Sequence, residues 1–126
     1  MKLYIVANRL PVKAVPRQDS YTFVRSEGGL ATGLDSLQIS MEKHWIGWPG
    51  VCVDNARQQI EIRQHLETMD FHPIFLSEEQ YHDYYEGYSN STIWPLCHYF
   101  FSHTTVRKEY WESYQKVNAL FCEEIC

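Results

Sequence analysis

Residues 3–9, LYIVANR, decide the fold. An unbroken apolar run gives way at once to Asn8 and Arg9. Such a run is too short for a core helix and suits a parallel strand buried on both faces. The polar pair that ends it then stands at the carboxyl edge of a sheet, where open α/β folds bind their ligands. Residues 44–50, HWIGWPG, read as a second strand running into a Pro-Gly turn, and residues 72–76, HPIFL, as a third. Between the strands, Leu30, Leu34, Leu37 and Met41 are spaced 4, 3 and 4 apart, one apolar stripe on a helix. Ile62, Leu66 and Met69 suggest a further helix. Residues 11–25, PVKAVPRQDSYTFVR, carry two prolines and a polar tip, as an exposed loop or hairpin does. Strands alternating with helices predict an α/β layered architecture.

The second half has a different character. Ser77 and Gln80 form a capping box, and the helix it opens is expected to stop near Gly87, a residue suited to the position after a helix end. Residues 83–100, DYYEGYSNSTIWPLCHYF, then crowd aromatic rings among small polar residues. A core helix would carry aliphatic residues here, and a disordered linker almost no rings. Rings with a polar handle suit a stiff, partly apolar, hydrogen-bonding wall, as sugar pockets have; the plainer alternative is an aromatic corner of the core. Trp111, Tyr114, Val117 and Phe121 make a last amphipathic helix.

The totals narrow the function. The chain has 126 residues, 44% hydrophobic and 15% aromatic, so it can build a core. A net charge of -5 excludes nucleic acid or an anionic membrane as a general partner, since both need a basic face. No run is long enough to span a membrane, and MKLYIVANRL turns polar too soon for a signal peptide, so a cytoplasmic location is expected. Cys52, Cys97, Cys122 and Cys126 then read as reduced thiols, and the Asn90-Ser91-Thr92 sequon as unused. His72, His82, His98 and His103 lack metal-ligand spacing, and Cys122 with Cys126 gives only a helical pair, so no metal site is expected. Glu78-Glu79 and Glu123-Glu124 read as solvated helix faces rather than a catalytic dyad. Gly28-Gly29 at a helix start offers backbone N–H groups to a phosphate, or is simply a tight turn. It is neither a dinucleotide fingerprint nor a Walker loop. Arg9 has the fork to grip a phosphate, or pairs with a surface carboxylate.

Taken in order, IVANRLPV, SEGGLATGL, WIGWPG, PIFLSEEQ, YYEGYSNSTIWPLCHYF and YWESYQKVNALF resemble the start of glycosyltransferase family 20, the trehalose-6-phosphate synthases. The resemblance is weakest at residues 13–25 and 52–69. It implies a retaining transferase of the GT-B type, two Rossmann-like domains facing a cleft, with residues 1–126 as the acceptor-side part of the first. It implies transfer of glucose from UDP-glucose to glucose 6-phosphate without a metal or other cofactor, cationic side chains stabilising the departing UDP. By motif, Arg9 matches the arginine that contacts the acceptor phosphate. Tyr85 matches a tyrosine reaching the same phosphate, and Trp94 a tryptophan beside the acceptor sugar. Gly28 and Gly29 match the pair lying against UDP-glucose. Tyr84, Tyr88, Tyr99 and Phe100 are assigned to packing, with residues 89–92 and Pro95 setting a turn that brings Tyr85 and Trp94 together.

No catalytic residue is expected within residues 1–126, because the family's H-D-Y-H-L segment, acceptor aspartate and donor domain are not among them. The chain is therefore expected to be inactive alone and, with a core face bared, to self-associate. The alternatives are a non-catalytic sugar-phosphate-binding or regulatory module, or a relative using glycerol 3-phosphate. The intact motif residues weigh against the first, and the ring of Trp94 against the second.

Overall fold

A computed structural model of the chain describes residues 1–26, 28–36 and 40–126. These form two compact units, Met1–Phe75 and Leu76–Cys126.

The first unit is built on a parallel sheet. Strand β1 (Lys2–Arg9) pairs with β4 (Glu42–Trp48), which pairs with β5 (Phe71–Pro73), in the order β1-β4-β5. Strands β2 (Val12–Arg17) and β3 (Ser20–Arg25) make a separate antiparallel hairpin, with Arg17 opposite Ser20 at its tip. The hairpin alternative for residues 11–25 is thus the one realised. Helices α1 (Gly29–Asp35) and α2 (Ala56–Glu67) complete the unit.

Its core joins Ile5, Leu10, Ala14, Trp45, Val53, Ile62 and Leu66. Ile62 and Leu66 are fully buried, and each such side chain is worth about 1.5–3 kcal/mol of transfer free energy. Asn55 caps α2, its side-chain oxygen accepting from the N–H groups of Arg57 and Gln58.

Three expectations change here. β1 is an edge strand, and Tyr4 and Val6 on its second face are half exposed, so only the Ile5 side is buried as foreseen. Helix α1 ends at Asp35, so Met41 precedes β4 instead of extending the stripe; Leu37 lies outside the described residues. Met69 likewise falls beyond the end of α2.

The second unit is helical. The capping box forms as expected, Ser77 Oγ accepting from the N–H of Gln80 and Gln80 Oε1 from the N–H of Ser77. It opens α3 (Glu78–Tyr81), but the chain does not stop at Gly87. It widens into a π-helix over His82–Ile93 and tightens again into α4 (Trp94–Cys97), whose Pro95 donates no N–H to the preceding turn, where the carbonyl of Ser91 accepts from the N–H of Thr105 instead. Residues 89–92 therefore form no turn. Ser89, Ser91 and Thr92 instead donate their hydroxyls to the carbonyls of Tyr84, Glu86 and Gly87, each five residues back. That is the spacing at which a π-helix bonds its own backbone.

A short 3₁₀ turn, Phe101–His103, leads to α5 (Lys108–Ile125), which buries Ser113, Val117 and Phe121 at four-residue steps. Gly87 is buried under this helix, and a Cβ there would come 2.7 Å from the ring of Tyr110. Its role is close approach and not helix termination. No described helix is long and apolar enough to cross a membrane.

Gly47 fixes how closely β1 and β4 lie. A Cβ on it would sit 2.7 Å from the carbonyl oxygen of Ala7 and 2.9 Å from the carbonyl carbon of Arg9, both main-chain atoms that no rotamer change can move. Gly47→Ala should cost about 1–3 kcal/mol, the usual penalty of overpacking. Urea unfolding checks this, and an unchanged midpoint would show that the strands can part freely.

Candidate functional site

The carboxyl edge of the sheet assembles around Arg9. Its strand pairs evenly with β4 from Lys2 to Val6, then shifts register before Arg9 comes opposite Trp48. The bulge presses on Gly47 and turns Arg9 outward, so that its guanidinium lies 5.4 Å above the Trp48 ring. A cation–π contact of this kind orients the guanidinium plane. The N–H of Leu10 bonds the carbonyl of Trp48 at 2.9 Å, fixing the chain just past Arg9. Beside it, the Oδ1 atom of Asn8 is buried and meets no hydrogen-bond donor among the described residues. This edge can therefore present a planar cation to a ligand.

Gly28 and Gly29 are placed where the sequence puts them, at the start of α1. Gly28 is the N-cap, in extended backbone, and no side chain caps the first N–H groups of the helix among the described residues. A Cβ on either glycine would meet nothing within 4 Å. Nothing described in this chain itself requires glycine there. Close approach of a bound molecule is a sufficient reason for it.

In the second unit the π-helix sets the geometry. An α-helix turns about 100° per residue, and nine residues would place Tyr85 and Trp94 on opposite sides. At about 4.4 residues per turn, the wider i→i+5 winding brings them to within about 20° of each other around the axis. Burial agrees: Gly87 and Thr92 face inward, while Glu86, Asn90 and Trp94 are exposed. Tyr85 stacks on Tyr81 at 5.4 Å. Trp94 is 52% exposed and stacks on His98 at 4.0 Å, almost parallel, with Phe100 at 6.3 Å on the same tilt. The His98 ring is pinned through Nδ1 to the carbonyl of Trp94 at 2.7 Å. Trp94, Pro95, Phe100 and His103, with Asn90 and Ser91, line a groove of about 500 Å³. A flat ring beside amide and hydroxyl groups is a surface that can stack a sugar and bond its hydroxyls.

The packing assignment divides. Tyr84 stacks on Tyr114 and Tyr88 on Trp111 and Tyr114, as expected of structural rings. Tyr99 is 82% exposed, at φ 62°, and Phe100 belongs to the groove. Neither is core packing. The sequence reading placed Asn8 with Arg9 at this edge but gave Trp48 no role, though its position ending the second strand was a signal.

None of His72, His82, His98 and His103 belongs to a group that could hold an ion among the described residues, and all four cysteines are outside disulfides. The one group among the described residues that could hold an ion is Glu42, His44 and Asp70, too far apart in sequence for a spacing rule to find.

With this geometry in place, comparison with known proteins is informative. The chain matches glycosyltransferase family 20 over residues 1–126. It is 37% identical over 98% of its length to an alpha,alpha-trehalose-phosphate synthase [UDP-forming] of Botryotinia fuckeliana, covering 24% of that protein. It is 44% identical over 94% of its length to a trehalose-6-phosphate synthase of Mycolicibacterium vanbaalenii, covering 25%. Among solved structures, a UDP-forming synthase of Burkholderia xenovorans aligns over 98% of this chain and 23% of its own, with a TM-score of 0.65 and 26% identity. The E. coli enzyme bound with UDP-2-fluoro glucose aligns over 99% of this chain and 24% of its own, with a TM-score of 0.67 at 23% identity.

The fold is therefore α/β, part of that of a GT-B transferase. The chain belongs to glycosyltransferase family 20, and it spans about a quarter of the length of the curated relatives it matches.

The Tyr84 phenol is pushed up to about 12, chiefly by burial and secondarily by Tyr114 and Tyr85. The folded state thus holds this proton more tightly than the unfolded chain, whose value is near 10. Its contribution to stability is complete below about pH 10 and is lost as pH rises towards about 12. Tyr84→Phe should accordingly flatten the fall in melting temperature across that window. A slope unchanged by the substitution would assign the alkaline loss to other groups.

Proposed function

We propose that residues 1–126 are the amino-terminal, acceptor-side part of a UDP-forming trehalose-6-phosphate synthase. The complete protein would move glucose, with retention, from UDP-glucose to glucose 6-phosphate. The observation that carries this reading is the family match over every residue of the chain. Relatives support the ligand classes: one Burkholderia xenovorans structure is in complex with glucose-6-phosphate, and the E. coli structure holds a UDP-glucose analogue.

On this reading Arg9 binds the acceptor phosphate through charge-assisted hydrogen bonds, oriented by the Trp48 ring. Tyr85 adds a phenolic hydrogen bond to the same phosphate. Trp94 lies against the acceptor sugar, with Asn90 and Ser91 within the same groove for its hydroxyls. Gly28 and Gly29 let UDP-glucose approach the main chain at the start of α1. The transfer itself needs no metal or organic cofactor, the developing charge on UDP being met by cationic side chains of the donor domain. The protein would work in the cytoplasm, and the apolar rings exposed around Trp94 favour self-association of the isolated segment.

Two measurements test the proposal. The 126-residue chain, given both substrates, should release no UDP; steady turnover would mean that these residues hold a complete catalytic apparatus and would overturn the assignment of its limits. In the complete synthase, Arg9→Ala should weaken use of glucose 6-phosphate by about 1.5–3 kcal/mol, the worth of a hydrogen bond to a charged group, with little effect on UDP-glucose. Unaltered dependence on glucose 6-phosphate would remove Arg9 from the acceptor site.

A further inference from the structure

At the amino edge of the sheet, opposite the edge that carries Arg9, the starts of β4 and β5 bring three side chains of metal-binding type together, with His72 beside them. Glu42, His44 and Asp70 each present a ligand atom there, all within 4.8 Å of one another. Glu42 Oε1 lies 2.8 Å from His44 Nε2, and Asp70 Oδ1 lies 4.0 Å from His44 Nδ1. His72 Nε2 stands 3.2 Å from His44 Nδ1. Ligands of one ion with bonds of about 2.0–2.1 Å are separated by about 3.0–3.4 Å, so the observed spacings bracket those of a coordination sphere. Closing the set on one ion needs Glu42 to leave Lys2 and Asp70 to swing from the Nδ1 side of the ring towards Nε2, and both side chains are about half exposed.

Two features distinguish this from a chance surface cluster. The His44 residue is only 9% exposed, and its ring is stacked on Tyr4 at 5.1 Å, so it is already fixed in direction. Its Nε2 faces Glu42 and its Nδ1 faces His72, so an ion on Nε2 would leave Nδ1 for the orienting hydrogen bond that a ligating imidazole makes. Asp70 is also one of two non-glycine residues with positive φ among those described, at 59°. Its carbonyl accepts the N–H of Trp45 at 3.0 Å, so this backbone is clamped to β4 beside the histidine.

We propose that Glu42, His44 and Asp70 bind one divalent first-row transition-metal ion of the zinc class, with His72 orienting the imidazole. The imidazole donor selects this class over magnesium or calcium, and the absence of thiolate from the set disfavours softer ions. Lys2, whose Nζ is 3.3 Å from Glu42 Oε1, is the counter-charge the ion would displace. The ion would tie the start of β4 to the turn entering β5. It lies at the edge of the sheet remote from Arg9 and takes no part in glucosyl transfer.

The test is zinc titration of the whole 126-residue chain by calorimetry, with melting temperature in parallel and magnesium as the contrast. Zinc should bind one to one and raise the melting temperature, and magnesium should do neither. Asp70→Asn keeps a residue that tolerates positive φ while removing the charge, and should weaken zinc binding at least tenfold without unfolding the protein. His72→Gln should weaken it about 10–100-fold, as loss of an orienting partner does. Cobalt should give a visible absorption band that disappears in Asp70→Asn. No zinc binding, equal stabilisation by magnesium, or full zinc affinity in Asp70→Asn would each overturn the proposal, the last by placing the ion on other histidines or the exposed cysteines.

Discussion

The first unit depends on how closely two parallel strands can approach. β1 and β4 meet in regular register until the bulge before Arg9, and there the main chain of β1 occupies the space where a side chain of β4 would stand. Glycine at position 47 is the condition for that approach. The bulge in turn aims Arg9 over Trp48 and lets Leu10 bond back to the Trp48 carbonyl. Core, strand edge and cation are thus consequences of a single missing Cβ. Leu10 and Ala14, both almost wholly buried, can enter the core only because the chain leaves β1 at this angle.

In the second unit the comparable constraint is helical pitch. Wide winding is unfavourable for a backbone left to itself, and π segments are rare and short for that reason. Here three hydroxyls reach back to carbonyls five residues earlier. A glycine with no room for a side chain lets α5 come close on the inner face. Stacked tyrosines and Trp111 fill the space between the two helices. The small polar residues among the rings, which look like turn formers in linear order, are the groups that sustain the pitch.

The parts legible from the sequence were those fixed by local pattern. Continuous apolar runs marked β1 and β4, and the Ser77 and Gln80 pair marked a helix start, because each depends on neighbours within a few residues. Six ordered motifs carried the family. What escaped reading depended on contacts between distant residues. Gly87 looked like a helix end because its true neighbour, Tyr110, is far along the chain. Residues 89–92 looked like a turn because hydroxyl bonds to i−5 carbonyls leave no composition signature distinct from a loop's. Tyr99 and Phe100 looked like packing because rings usually pack, yet both are exposed. Glu42 and Asp70 join at His44 only once β4 and β5 are paired.

The wide helix also bears on how this segment can change in length. An α-helix that loses or gains one residue must break its bonding pattern or kink. A helix bonded at five-residue intervals can shed a residue and relax into tighter winding with its axis intact. A single-codon deletion between Glu86 and Ile93 would therefore be tolerated by the scaffold but not by the ligand. It would swing Tyr85 around the axis by about a quarter turn relative to Trp94, at an α-helical step of about 100° per residue. Across relatives, constancy of length in this segment would then record selection on aim rather than on folding.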